Sequence, residues 1–159
     1  MPQEAKVIVN PASRNGQTGK VWPSLSEKMK ASGFMHQWEM TYGPGDGRRI
    51  AREAVRQGFD RIVAVGGDGT VNEVINGLIE NDCSINPDLV FGVLSMGTGC
   101  DFIKSVGIPG SVDNAIGHLV CNRVERVDVG KARFVGRDGQ IIERYFLNIA
   151  DLGLGAETV

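Results

Sequence analysis

Residues 61 to 79 constrain the fold of this chain more than any other stretch. Arg61 to Val65 (RIVAV) is a continuous apolar run, the pattern of a strand buried on both faces. Gly66-Gly67-Asp68-Gly69 breaks it. Val71, Val74, Ile75, Leu78 and Ile79 then recur at i, i+3, i+4, i+7 and i+8, the stripe of an amphipathic helix. A buried strand running through a glycine turn into a helix is half of a βαβ unit, and such units build a parallel sheet with helices on both faces.

The same texture repeats around it. Lys6 to Asn10 (KVIVN) reads as a strand stopped at Asn10-Pro11, followed by a loop over 12 to 19 (ASRNGQTG). Val21, Trp22, Leu25 and Met29 predict a helix closed by Gly33, and Phe34 to Thr41 predicts a second strand. After a turn at Tyr42 to Gly47 (YGPGDG), Ile50, Ala51, Ala54 and Val55 mark a helix stopped at Gly58. Leu89 to Leu94 predicts a fourth strand, ended by Met96-Gly97-Thr98-Gly99. Val112, Ala115, Ile116, Leu119 and Val120 mark a last helix, with Ser111 as its N-cap. Beyond Asn122 the alternation stops. Val124 to Phe134 and Gln140 to Ala150 read as two strands joined by a turn at Gly136 to Gly139, a β-hairpin opening an antiparallel layer. These patterns place a domain boundary near residue 123, with an α/β domain over 1–123. Residues 124–159 are too few for a stable second domain.

Composition removes several function classes. The formal charge is −2, from 17 basic and 19 acidic side chains, which argues against nucleic-acid binding driven by bulk charge. Arg48, Arg49, Arg52 and Arg56 crowd one segment, read first as a solvated helix face and second as an anion-facing cluster. No apolar stretch approaches the ~18 residues of a transmembrane helix, and Met1 to Lys6 lacks the apolar core of a signal peptide. Three cysteines (Cys83, Cys100, Cys121) without a CxxC pair point to a reducing, cytoplasmic setting. His118 and Cys121 are spaced like zinc ligands, but no second pair completes a site, and His36 reads as an ordinary strand residue.

In open α/β sheets ligands bind beyond the carboxyl ends of the strands, and three glycine-bearing loops fall there: after Val9, after Val65 and after Leu94. The strongest is Gly66 to Glu73 (GGDGTVNE). Glycines let backbone N–H groups approach an anion, the following helix adds its positive end, and Thr70 adds a hydroxyl. Asp68 would repel phosphates unless Mg²⁺ bridged the two, so the loop suits a Mg-nucleotide better than free phosphate. The plainer reading is a tight turn and helix start. The spacing matches neither a P-loop nor a dinucleotide-binding fingerprint.

The segment Gly66 to Leu78 (GGDGTVNEVINGL) closely resembles the signature of the diacylglycerol kinase catalytic domain family, which includes bacterial lipid kinases, sphingosine kinases and ceramide kinases. Asn10 to Ser13 (NPAS), Thr41 before its glycine turn, Leu94 to Phe102 (LSMGTGCDF), Arg126 to Lys131 (RVDVGK) and Phe146 to Ala156 (FLNIADLGLGA) resemble further family segments in order, so the likeness spans nearly the whole chain. It implies a three-layer, NAD kinase/diacylglycerol kinase-like fold and an ATP-binding domain followed by the start of a mostly β lipid-substrate domain, incomplete here. It implies that Asn10, Thr41, Gly66, Gly67, Gly69, Thr70, Asn72 and Thr98 line an ATP site. Asp68 would act on the metal-phosphate, and Asp101 and Asp128 would extend a carboxylate network near metal and acceptor. The implied cofactors are ATP and Mg²⁺, and the implied partner is a lipid at a membrane surface.

Two departures qualify the likeness. Cys100 stands where the family usually has Asn, and a thiol poorly replaces an amide that both donates and accepts. The family's lipid pocket and downstream acidic base would lie outside these residues, so the chain alone is expected to be inactive. Two alternatives stay open: an NAD kinase-like enzyme, or a catalytically weak nucleotide-binding regulatory module. The tail is expected to leave Phe134, Ile141, Ile142, Tyr145, Phe146, Leu147 and Ile149 partly uncovered, ending in disorder or in a dimer by strand addition.

Overall fold

The computed structural model of the chain describes residues 4–97, 99, 101–121 and 123–148. In order, the elements are β1 (Ala5–Val9), α1 (Gln17–Ala31), β2 (His36–Met40), α2 (Asp46–Arg56), β3 (Arg61–Gly66), α3 (Asp68–Leu78), β4 (Ile79–Glu80), β5 (Cys83–Ser84), β6 (Val90–Ser95), α4 (Asp101–Ser105), α5 (Val112–Cys121), β7 (Gly130–Val135) and β8 (Ile141–Phe146). β2, β1, β3 and β6 form one sheet in that spatial order, and every pairing within it is parallel.

Alternate side chains of each central strand serve opposite faces. Val7 and Val9 of β1, Val63 and Val65 of β3 and Leu94 of β6 pack with Trp22, Leu25 and Met29 of α1 and Ile116 of α5. Ile8, Ile62, Ala64 and Val93 face the other way, onto Ile50, Ala51 and Ala54 of α2 and Val71, Val74, Ile75 and Leu78 of α3. The result is three layers, helix on sheet on helix. The run Arg61 to Val65 is the centre of the sheet, as the sequence requires, and Val63 and Val65 are fully buried.

The sequence reading needs three corrections. The α3 stripe ends at Leu78, and Ile79 opens a two-residue ribbon with β5. Asn81 and Asp82 turn that ribbon with φ of 51° and 62°, the primed-turn geometry that Asn and Asp tolerate. The strand expected from Val124 begins only at Gly130, because β7 pairs with β8 from Gly130↔Phe146 to Val135↔Ile141 and residues 124–129 have no ladder partner among the described residues. α4, a helix of five residues, is too short to show a period. Ser111 does cap α5, its hydroxyl accepting from Asn114 N at 3.4 Å.

The β7–β8 hairpin is docked on α3. Asn76, buried on that helix, donates from Nδ2 to Tyr145 O (2.8 Å) and accepts at Oδ1 from Tyr145 N (2.9 Å), as a neighbouring strand would. The Tyr145 hydroxyl donates to Asp82 Oδ1 (2.8 Å), and Lys131 Nζ lies 2.7 Å from Asp82 and 3.1 Å from Glu143. Tyr145, Phe146 and Leu147 are partly covered, whereas Phe134 and Ile141 stay exposed; Ile149 lies outside the described residues.

Two predictions follow from this packing. A Cβ at Gly77 would sit 2.4 Å from Arg48 O and 2.8 Å from Ala51 Cβ, so Gly77→Ala must push α2 off α3. Urea denaturation should show a loss of about 1–3 kcal/mol, the usual cost of overpacking. The second concerns pH. The hydrogen bond from Lys131, then that from Tyr145, holds the Asp82 carboxyl below its usual range. Asp82, then Glu143, raises the Lys131 ammonium. The Asp82 contribution is complete above the unfolded carboxylate pKa and is lost as pH falls through the lowered one. The Lys131 contribution is complete below the unfolded lysine pKa and is lost as pH rises through the raised one. Docking should therefore be firmest between roughly pH 5 and 10. Tyr145 ring resonances followed by NMR should be constant across that window and shift outside it, and Asp82→Asn should remove the acid-side transition.

Candidate functional site: a cleft at the switch point of the sheet

From β1 the chain passes through α1 to β2 on one side, then through α2 to β3 on the other. The sheet order therefore reverses between β1 and β3, and the loops leaving these two strands run to helices on opposite faces. A crevice opens between such loops. Here it is a cleft of about 550 Å³ lined by the β1–α1 loop (Asn10 to Ser13), the β2–α2 loop (Thr41 to Pro44) and the start of α3 (Gly67, Gly69, Thr70, Glu73).

Close backbone contact builds the floor. Gly66 ends β3 in register with Ser95, and its C=O accepts from Met96 N at 2.7 Å. A Cβ on Gly66 would overlap the Thr70 side chain at 2.3 Å, and one on Gly97 would stand 2.7 Å from Gly67 Cα. Gly67, the N-cap of α3, has φ −93° and an extended backbone open to any residue, and no side chain caps the helix. The start of α3, at Gly67, Gly69 and Thr70, lines the cleft, and the positive end of a helix suits an anion.

The polar groups have fixed roles. Asn10 Oδ1 accepts from Ala12 N at 3.0 Å, so the other end of that amide is its NH₂, which donates to Thr70 Oγ1 at 3.0 Å. A hydroxyl that accepts from an amide keeps its own proton to donate. Thr41 is buried, its N–H bonded to Val9 O at 2.8 Å. Asp46 accepts from Tyr42 N at 2.8 Å, and this bond, then that from Arg49, holds its carboxyl below the usual carboxylate range.

The remaining candidate residues lie at the rim or elsewhere. A Cβ built on Gly99 would be 3.0 Å from Asp68 Oδ2 and 3.9 Å from Asp101 Oδ2, so both carboxylates face that glycine. Asp101 also pairs with Lys104 at 2.9 Å. Two such carboxylates fit Mg²⁺, which usually takes one or two from the protein and the rest from water and phosphate. Among the described residues no group of three or more acidic, His or Cys side chains gathers to hold a metal on its own. Asn72 is turned away from the cleft, donating to Tyr145 O at 3.2 Å. Asp128 lines a second cleft, with Asp82, Lys131 and Tyr145. Thr98 and Cys100 fall outside the described residues. The sequence reading passed over Ser13, Tyr42, Pro44 and Glu73, all of which line the cleft. Glu73 stands three residues after Thr70 in a helix, and that i, i+3 spacing is the signal that could have placed it on the same face.

Fold and cleft together define an open α/β domain of the kind that takes its ligand at the switch point of the sheet. The chain belongs to the diacylglycerol kinase family: the model of the diacylglycerol kinase catalytic domain matches residues 4–132. It is 36% identical over 152 residues to a diacylglycerol kinase of Bacillus subtilis, covering 95% of this chain and 46% of that protein. It is 33% identical over 150 residues to one of Staphylococcus saprophyticus, covering 94% and 45%. A solved diacylglycerol kinase structure from Bacillus anthracis shares the fold with a TM-score of 0.72 at 23% identity, over 98% of this chain and 50% of that one. The chain thus spans about half the length of the relatives it matches.

The glycines of the floor should rank by the space around them. Gly66→Ala and Gly97→Ala should each destabilise the fold by about 1–3 kcal/mol. Gly67→Ala, whose Cβ would meet only Gly97 Cα at 3.4 Å, should cost less than either. Thermal denaturation of the three variants side by side checks that order.

Proposed function

We propose that this chain provides the ATP-binding part of a lipid kinase, which transfers the γ-phosphate of Mg-ATP to a hydroxyl of a diacylglycerol-type lipid. The observation that carries the reading is the Asn10–Thr70 pair: it leaves the Thr70 proton to donate at the start of α3, inside a cleft of nucleotide size. Phosphoryl transfer needs charge neutralisation and alignment more than covalent help from the protein. The N–H groups of the α3 first turn and the Thr70 hydroxyl would hold phosphate oxygens. Gly66 and Gly67 keep that approach short, and Asn10 and Thr41, with Thr98 from the next loop, would border the nucleotide. Asp68 and Asp101 would hold Mg²⁺ against the phosphates, the metal supplying charge neutralisation there. Asp128 would serve the acceptor side, from the second cleft.

We place the domain boundary near residue 123. The lipid pocket and the base that receives the acceptor proton would correspond to the unmatched half of the longer relatives. The 159 residues should therefore bind nucleotide without turning over. Among the described residues no helix is long and apolar enough to cross a membrane. In this reading the lipid is met at a membrane surface. Association of two chains along the hairpin, where Phe134 and Ile141 are exposed, belongs to the same reading. The family favours a lipid over NAD as acceptor.

Titration calorimetry should detect Mg-ADP binding to the chain. Thr70→Ala should weaken it about tenfold or more, as expected for one hydrogen bond to a charged group. Radiolabelled γ-phosphate transfer by the protein that contains this chain, offered diacylglycerol, sphingosine, ceramide and NAD, should label a lipid. Label on NAD, or no nucleotide binding at all, would overturn the proposal.

A further inference from the structure

We infer that the Tyr42–Pro44 wall of the cleft recognises the base of the nucleotide, with Tyr42 stacking on it and Glu73 positioning the wall; this rests on the nucleotide reading of the cleft. The lining divides into two chemistries. Gly67, Gly69, Thr70 and Asn10 offer N–H, O–H and amide groups suited to phosphate. Pro11, Ala12, Tyr42 and Pro44 offer apolar and aromatic surface, which phosphate cannot use and a planar heterocycle can.

Tyr42 is 90% exposed, although its backbone is tightly held. Its N–H is bonded to Asp46 Oδ2 at 2.8 Å, and the preceding residue, Thr41, is buried and tied to β1. An almost fully exposed aromatic ring on a fixed stem is a ready stacking platform, and stacking on a base costs little ordering in a side chain with two torsions.

Glu73 supplies the registry. Its Oε1 accepts from Gly45 N at 2.8 Å and its Oε2 from Gly47 N at 3.0 Å, so one carboxylate holds the loop that carries Tyr42 and Pro44 at two points. Those two N–H groups also occupy the charge that a carboxylate would otherwise turn toward phosphate. Glu73 sits one helical turn beyond Thr70. The helix that would bind phosphate thereby also sets how far away the base wall stands. Glu73 acts through the loop and is a positioning residue.

The test compares two ligands, Mg-ADP and Mg-pyrophosphate, which differ by the nucleoside. Tyr42→Ala should weaken Mg-ADP about tenfold, the scale of one lost base stack, and leave Mg-pyrophosphate within twofold. Tyr42→Trp should keep Mg-ADP affinity. Glu73→Gln places an NH₂ against an N–H and can satisfy only one of the two loop amides. It should weaken Mg-ADP severalfold and speed hydrogen exchange at Gly45 or Gly47, with pyrophosphate binding again unchanged. Equal losses for both ligands in the Tyr42→Ala variant, or no loss for either, would overturn the base wall. Unchanged Mg-ADP affinity in Glu73→Gln would overturn the positioning role. If the unsubstituted chain binds pyrophosphate and Mg-ADP equally, the nucleoside has no wall and the inference fails while the phosphate site stands. If it binds neither, the nucleotide reading itself falls.

Discussion

Two stretches of backbone meet at the carboxyl edge of the sheet with no side chain between them, and the arrangement of the cleft depends on that contact. Gly97 lies against Gly67, and Thr70 folds back over Gly66. Any Cβ at Gly66 or Gly97 would have to be accommodated by moving α3 or the loop after β6. A shift of α3 would take the Thr70 hydroxyl out of reach of Asn10, whose own backbone is fixed by Asn10 N to Val65 O at 2.9 Å; a shift of the loop would break its contact with Gly67. The glycines here act by permitting contact. Gly67, at an extended φ of −93°, needs no special backbone freedom and matters for the room that it leaves its neighbour.

Much of the sheet was legible from the sequence because the central strands are buried on both faces. A run such as Ile62 to Val65 must be apolar at every position, and its place in the chain then follows from the helix stripe after it. The short elements carried no such signal. β4 and β5 have two residues each, α4 has five, and none is long enough to repeat its period. The overlong strand from Val124 shows the converse error. Val127 and Val129 alternate as in a strand, but a strand is defined by its ladder partner, and β8 reaches back only to Gly130.

The candidate site was legible in part for the same reason. Residues fixed by the turn itself, Gly67, Gly69 and Thr70, fall at the cleft because the β3–α3 geometry leaves them nowhere else, and Gly66 lies beneath Thr70. Asn10 and Thr41 also arrive there, as the last positions before the loops of two neighbouring strands. Asn72 lies inside the motif, yet in a helix two residues after Thr70 it points about 200° away, toward the hairpin. Glu73, one residue on, returns to the cleft side. Tyr42 and Pro44 gave no sequence signal beyond a turn, since what they line is created by loops distant in the chain.

The helix α3 is therefore more than the carrier of a glycine motif. Its first turn and Glu73 face the cleft, and Asn72 and Asn76, on another side, hold the Tyr145 backbone of the hairpin. An α-helix of 11 residues is a stiff rod of roughly 16 Å. A side chain that bonds both the N–H and the C=O of one strand residue fixes that strand in translation and in tilt. The hairpin is thus registered on the element whose start lines the cleft, while among the described residues it makes no ladder with the parallel sheet. An antiparallel layer attached in this way keeps a fixed relation to the cleft at β3–α3. It would lose that relation if Asn76 lost its amide, however well β7 and β8 continued to pair with each other.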